Sequence, residues 1–228
     1  MNTTPQVIAA TNVTLHDLEQ HFHLQFNEEQ DFFSEWQTDL PAIIEEEHHV
    51  LDEVKAAYMN LIKYPVMLEN AVQITVVSPL LHLAQLLLPP FHLKTETSIS
   101  VANPDQDIVI EGRIDLLVVE GNFWVLVIES KRAELSIKVG LAQLLSYMLA
   151  TPSHRHPCYG LITNGGSSLF VKLVFDETPT YALSRVFDVL NPGNDLYHVV
   201  SILKHFRQLA LATSHIEQAV EREEIPDS

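Results

Sequence analysis

The chain has one cysteine, Cys158, among its 228 residues. A single cysteine excludes an internal disulfide, which is the usual staple of small secreted domains. The first ten residues, MNTTPQVIAA, also lack the charged and apolar regions of a signal peptide. We therefore expect a cytoplasmic protein.

Long apolar runs are missing as well. The most apolar stretch, VVSPLLHLAQLLLPP, is interrupted by Ser78, Pro79, His82 and Gln85. A membrane-spanning helix needs about 20 predominantly apolar residues. The stretch predicts a core helix and no membrane association.

Basic residues are few: 13 Lys and Arg stand against 30 Asp and Glu, for a net charge of −17. This balance disfavours a generic nucleic-acid binder, because affinity for a phosphate backbone comes mainly from clustered bases. The acidity is uneven, since residues 1–60 contain 12 acids and one base, Lys55. We expect an acidic N-terminal helical arm at 1–62 and a compact domain at 63–228.

Helix signals in the arm are a possible cap at Thr14, a first-turn Pro41 and apolar residues three or four apart. They predict helices at 14–27, 29–36 and 41–61. His48 and His49 in EEEHH are adjacent, so they diverge on a helix, and a solvated helix face is the favoured interpretation.

Beyond residue 63 the pattern alternates between helix and strand. A helix is predicted from Pro65 to Leu87, kinked near Pro79 and ending at the Pro89-Pro90 pair. Turn signals at 103–107, 120–122 and 164–166 separate β-branched, apolar segments. The predicted strands are 93–101, 107–119, 122–131, 159–163 and 168–175, with helices at 135–150 and 195–214. This order predicts an α/β fold with a mixed central sheet flanked by helices.

The stretch FWVLVIESKRA ends an apolar strand with an acid and a base two residues apart. Side chains alternate along a strand, so Glu129 and Lys131 project to one face and Ser130 to the other. One interpretation is a surface ion pair worth less than about 1 kcal/mol. The other is a metal ligand and a catalytic cation on one face.

The preceding strand supplies Asp115 in GRIDLLVV. If the hairpin pairs residues whose numbers sum to an even value such as 242, Asp115 and Glu129 share a face. This register requires a loop of odd length, for example the three residues 120–122.

Two carboxylates on one face repel each other, and a divalent cation is their natural compensation. Mg²⁺ suits one or two carboxylates with a carbonyl and waters, so Asp115, Glu129 and the Ser130 carbonyl are the predicted ligands, with Mn²⁺ as a substitute. Lys131 would orient the attacking water or stabilise developing charge. The predicted chemistry is phosphodiester hydrolysis.

Asp115 followed after thirteen residues by Glu129-Ser130-Lys131 resembles the PD-(D/E)xK nuclease superfamily, whose core is helix, three-stranded meander, helix, strand. Gln143 and Tyr147 match the QxxxY signature of the branch that includes the nuclease domain of type I restriction motor subunits. Glu69 matches an acidic residue that many of these nucleases contribute. The resemblance covers about residues 63–175.

The resemblance implies a restriction-endonuclease-like domain that cuts DNA, with Glu69, Asp115, Glu129 and Lys131 catalytic and Gln143 and Tyr147 near substrate. Ile114 stands where the family name has proline, and no GxxxxGK[ST] loop follows, so we expect a free-standing nuclease module without the helicase motor. A separate motor or specificity protein and a homodimer are the protein partners left open.

Other interpretations of these residues remain. Glu69 is also explained as a helix-face charge, and Gln143 with Tyr147 as a polar seam between helix and sheet. The alternative function is a non-catalytic protein-interaction or regulatory module that keeps the nuclease fold and acts through its acidic arm.

Overall fold

The computed structural model describes residues 5–64, 68–103, 108–121, 123–133 and 135–223, with side chains described to residue 216. The predicted start of a helix at Pro65 and most of the predicted turn at 103–107 lie outside these ranges. The helices are α1 (Leu15–Phe22), α2 (Glu45–Leu61), α3 (Glu69–Val72), α4 (Ser78–Leu83), α5 (Leu141–Leu149) and α6 (Leu196–Glu223). The strands are β1 (Gln6–Ala9), β2 (Gln25–Phe26), β3 (Phe91–Asn103), β4 (Ile108–Glu120), β5 (Phe123–Ser130), β6 (Cys158–Thr163), β7 (Ser167–Phe175), β8 (Pro179–Leu183) and β9 (Phe187–Asp188).

Within these ranges all nine strands join one mixed sheet. Its main path runs β1-β4-β5-β6-β7-β8-β2, while β3 pairs with β4 and β9 with β7. The meander β3-β4-β5 is antiparallel, β5 and β6 are parallel, and β6-β7-β8 is again antiparallel. The predicted hairpin turn at 164–166 is present, and Gly165 there has a φ of +86°, which glycine adopts without strain.

Helices cover both faces of the sheet. On one face α2, α3, α4 and α6 pack over a core that includes Leu126, Ile128 and Phe170. On the other, α1 and α5 pack over Val127, Ile162 and other buried side chains. The predicted mixed α/β class with a large central sheet between helices is confirmed.

The residues expected to form a separate helical arm contribute to this same sheet. β1 pairs in parallel with β4, and β2 pairs with β8. The capping prediction at Thr14 is confirmed, because its hydroxyl accepts from the Asp17 N–H while the Asp17 carboxylate accepts from the Thr14 N–H. The helix predicted at 29–36 is wrong: this segment forms turns.

The long helix predicted from Pro65 is interrupted by a π-helical turn rather than a simple kink. The turn spans Gln73–Val77, between α3 and α4. Pro79 has no N–H to donate to the preceding turn, and a wider turn is one way for a helix to accommodate that loss. No helix in the described ranges is both long enough and apolar enough to cross a membrane.

The β4-β5 hairpin corrects one prediction about register. Glu120 pairs with Phe123, so the connection is two residues, not an odd number, and its second residue, Asn122, lies outside the described ranges. A β-bulge between Val118 and Val119 then shifts the pairing, and Leu116 faces Ile128. Near the predicted site the numbers of paired residues therefore sum to 244, an even value as the prediction required, but not to 242. The shift arises because a bulge adds one residue to a strand.

Candidate active site

A gap in strand pairing defines the cleft. β4 pairs with β1 from Ile108 to Glu111 and with β5 from Leu116 onward, so residues 112–115 pair with neither. Both neighbouring strands end at this gap, β1 at Ala9 and β5 at Ser130. Clefts outside the carboxyl ends of strands are the usual ligand sites of α/β sheets.

The backbone is irregular where Asp115 enters the cleft. Ile114 lies in the core under α5, whereas Leu116 lies in the core on the opposite face. The β3-β4 pairing also skips Asp115 and its opposite residue, Glu96, which has a φ of +49°. A left-handed residue that is not glycine is uncommon, and such positions cluster at functional sites.

Asp115 bridges β4 and β5 by accepting a hydrogen bond. Its Oδ2 accepts from the Ser130 N–H at 2.8 Å. Burial raises the pKa of the Asp115 carboxyl, and the charges of Glu69 and Glu96 act in the same direction, against the Ser130 bond. Asp115 is therefore held beside the end of β5, with other carboxylates nearby.

Glu129 is the most buried acid of the cleft, with 2 % of its surface exposed. Burial and the nearby Asp115 charge raise its pKa to about 7. Its Oε2 atom is buried and has no hydrogen-bond partner among the described residues. A buried, unpartnered carboxylate oxygen is costly unless a cation or donor arrives.

Lys131 connects the strand to the next helix. Its Nζ donates to Glu129 Oε1 at 2.5 Å and to Gln143 Oε1 at 2.8 Å. An ammonium group has three donors, so one remains for a water or a phosphate oxygen. Gly140 makes room for this path, because a Cβ there would lie 2.6 Å from Lys131 Cε.

Gln143 and Tyr147 lie one turn apart on α5 and extend the same chain of hydrogen bonds. Lysine can only donate, so Gln143 turns its oxygen to Lys131 and its Nε2 donates to the Tyr147 hydroxyl at 2.6 Å. Burial raises the pKa of Tyr147 to about 12. Gly112 leaves the space for this ring, since a Cβ there would be 2.7 Å from Tyr147 Cε1.

The six side chains predicted from sequence line one cleft of about 310 Å³. Glu69 reaches it from the first turn of α3, Lys131 directly follows β5, and the other four lie on β4, β5 and α5. Ser130 contributes its main chain, and its side chain is buried away from solvent. The structure thus brings together residues that are 78 positions apart in the chain, from 69 to 147, while their roles stay predictions.

Sequence reasoning missed other residues of the cleft. Arg113 and Glu111 on β4, and the segment from Ala9 to Thr11 after β1, also line it. Arg113 and Glu96 line an adjoining cavity of about 520 Å³. The sequence could have indicated Arg113, because it stands two residues before Asp115 in GRID. No local pattern marks Ala9.

The donor set fits a hard divalent cation that keeps several waters. Asp115 and Glu129 supply two carboxylates, one with an unpartnered oxygen. The N–H and C=O of an extended residue point to the same side, and the Ser130 N–H points to Asp115, so its carbonyl is expected there too. No three His, Cys, Asp or Glu side chains in the described ranges form a metal-binding group, so the candidate set rests on two carboxylates and a carbonyl.

No protein-family model matches the chain, and no curated protein matches its sequence.

Proposed function

We propose that this protein is a metal-dependent nuclease that hydrolyses phosphodiester bonds in DNA, with Mg²⁺ as its cofactor and Mn²⁺ as a substitute. The observation that supports it most is the buried Glu129 oxygen without a partner, beside Asp115 and Lys131 at a gap in the sheet. The order of helix, meander β3-β4-β5, helix α5 and strand β6 also agrees with a restriction-endonuclease-like core.

Asp115, Glu129 and the Ser130 carbonyl would hold the cation. A bound Mg²⁺ supplies polarisation of the scissile phosphate and a lower pKa for a bound water. Without a cation, the pKa of Glu129 is about 7, so its protonated form is favoured below that pH. The acid pair is therefore arranged so that a cation relieves an unfavourable charge.

Lys131 is the residue that would act on the nucleophile. Hydrolysis adds the water oxygen to phosphorus, breaks the bond to a sugar oxygen and transfers one proton of the water to that leaving oxygen overall. The third N–H of Lys131 is available to hold the attacking water or a phosphate oxygen. Its two other donors are fixed by Glu129 and Gln143, so the ammonium is held in one place.

Gln143 and Tyr147 would keep Lys131 in position. The Gln143 amide joins the ammonium to the Tyr147 hydroxyl, and both side chains are buried. Buried hydrogen-bond chains of this kind limit the movement of the group at their end. Glu69, which enters the cleft from α3, would act on the cation or its waters.

The test is cleavage of plasmid and labelled single- and double-stranded DNA in Mg²⁺, Mn²⁺ or EDTA. We expect cleavage in either metal and loss of at least about a hundredfold in Asp115→Ala and Lys131→Ala. Asp176→Ala and Arg155→Ala are matched controls, because both exposed residues lie near the ends of β7 and β6 that point away from the cleft. Unchanged cleavage in both site variants, with a native circular dichroism spectrum, would overturn the proposal.

Two observations favour a second candidate, a binding or regulatory module. Lys131 and Glu129 form a buried ion pair, and a chain of charge −17 repels DNA at long range. Calorimetry with Mn²⁺ separates the two candidates. Binding that disappears in Glu129→Ala supports the nuclease, and absence of binding supports the module.

A further inference from the structure

The cleft continues past Asp115 into a second cavity. The two cavities share Glu69, Arg113 and Asp115 in their walls. Asn70, Gln73 and Ile74 line the second one, from α3 and the π-helical turn after it. A chain-like ligand with one unit at Asp115 therefore has space for its next unit beside the π-helical turn.

Cations are few along this path. Among the described residues that line the two cavities, Arg113 and Lys131 are the two with positive charge, against the carboxylates of Glu69, Glu96, Glu111, Asp115 and Glu129. Lys131 is buried and bonded to Glu129 and Gln143. Arg113 is exposed over 60 % of its side chain, so it is the more accessible of the two cations.

Arg113 is also held only loosely. Its Nη1 lies 3.6 Å from Glu96 Oε2, and the Glu96 side chain is itself 71 % exposed. Exposed pairs of this length contribute less than about 1 kcal/mol, so a ligand anion can replace the carboxylate at small cost. A guanidinium offers a planar pair of donors that matches a phosphate group.

We infer that Arg113 binds the phosphate next to the scissile one, and that the cavity beside the π-helical turn holds the adjoining nucleotide. The inference rests on the proposed function and adds a subsite to it. Arg113 exchanges Glu96 for phosphate when DNA enters. Asn70, Gln73 and the exposed Ile74 offer amide and apolar contacts to the sugar or base.

The substitution series at position 113 separates charge from geometry. Each phosphate contact contributes about 0.7–0.9 to the slope of log affinity against log salt concentration. Arg113→Ala should weaken binding of a labelled DNA oligonucleotide by on the order of tenfold and reduce the slope by that amount. Arg113→Lys should keep the slope, because the charge remains, while binding is weaker because the paired donors are lost.

Position 96 provides the opposite test. Glu96→Gln removes the carboxylate that competes for Arg113, so it should tighten DNA binding by about twofold to fivefold. In Arg113→Ala this gain should shrink, since the competitor then has no partner. Arg155→Ala is the matched control, because it removes the same charge near the start of β6, away from the cleft.

The experiment measures fluorescence anisotropy in Ca²⁺ over a range of salt, and KM and kcat in Mg²⁺. A reduced salt slope and higher KM in Arg113→Ala, absent in Arg155→Ala, support the subsite. If the wild type cleaves DNA but Arg113→Ala and Arg155→Ala behave alike, the subsite is wrong and the nuclease stands. A wild type that neither binds nor cleaves DNA overturns the proposed function and the subsite with it.

Discussion

Lys131 Nζ lies 2.5 Å from Glu129 Oε1, with Glu129 near the end of β5 and Lys131 directly after it. Side-chain exposure is 10 % for Lys131 and 3 % for Glu129, so the pair is largely removed from water. Burying an ion pair costs desolvation energy that the attraction does not always offset. The pair is therefore not expected to be a large source of stability.

Ionisation of Glu129 should reduce the stability of the metal-free protein. Its folded pKa of about 7 exceeds the ordinary value of 4.5, so the folded state binds the proton more tightly and stability falls as pH rises from about 4.5 to 7. Between pH 5.5 and 8 the free energy of unfolding should drop by about 2 kcal/mol more in wild type than in Glu129→Gln. Urea unfolding in EDTA measures this difference, and equal slopes in the two proteins would contradict it.

Gly140→Ala should slow cleavage without unfolding the protein. The added Cβ would lie 2.4 Å from Ile162 Cδ1 and 2.6 Å from Lys131 Cε, so both side chains have to shift and the ammonium moves with its chain. Misplacing a catalytic group costs about tenfold to a hundredfold in rate. Single-turnover kinetics should show this loss, and Gly140→Ala should have no effect in a Lys131→Ala background.

Substitutions on α5 should have graded effects. Gln143→Leu removes both hydrogen bonds of the amide, whereas Tyr147→Phe removes only the hydroxyl that Nε2 reaches. We expect kcat to fall about tenfold in Gln143→Leu and about threefold in Tyr147→Phe. Equal losses, or a larger loss in Tyr147→Phe, would show that Tyr147 acts on the reaction more directly than by holding Gln143.

DNA binding should depend on divalent cations. The cleft is lined by more carboxylates than cations, so without metal it repels phosphate. Affinity for a labelled duplex should be at least about tenfold weaker in EDTA than in Ca²⁺. Asp115→Asn should reduce this dependence because it removes a repelling charge. Asp176→Asn, which follows the end of β7 away from the cleft, should leave it unchanged.

A second ion pair, which is partly buried, should contribute to stability and not to activity. Lys172 Nζ donates to Glu35 Oε1 at 2.6 Å and to the Phe32 carbonyl at 2.7 Å, which fastens the 29–37 segment to β7. Lys172→Met removes the cation from Glu35, which keeps only the bond from the Tyr159 hydroxyl at 3.1 Å, and should cost about 2 kcal/mol. The double variant with Glu35→Gln should recover part of the loss. Lys138→Ala, at an exposed position, should change stability by less than about 0.5 kcal/mol.

Much of the region from residue 69 to 175 could be predicted from the sequence. Its strands are β-branched and apolar, its turns contain Gly, Asn and Asp, and α5 has helical periodicity, so local chemistry and the tertiary fold agree. The alternation along the predicted strand 122–131 also placed Glu129 and Lys131 on one face. The N-terminal part was harder, because β1 is only four residues long and is a strand only through its pairing with β4.

The sequence by itself determined the mixed α/β class and which polar residues stand at the end of a buried strand, because side-chain periodicity is a local property. The tertiary structure decided the register of the β4-β5 hairpin, through a bulge that leaves Asp115 and Glu129 just beyond its last pair. It also decided that β1 ends at the cleft and that Arg113 lies beside Asp115 in its wall. These features depend on pairing and packing between distant segments, and that information is absent from any short stretch of the chain.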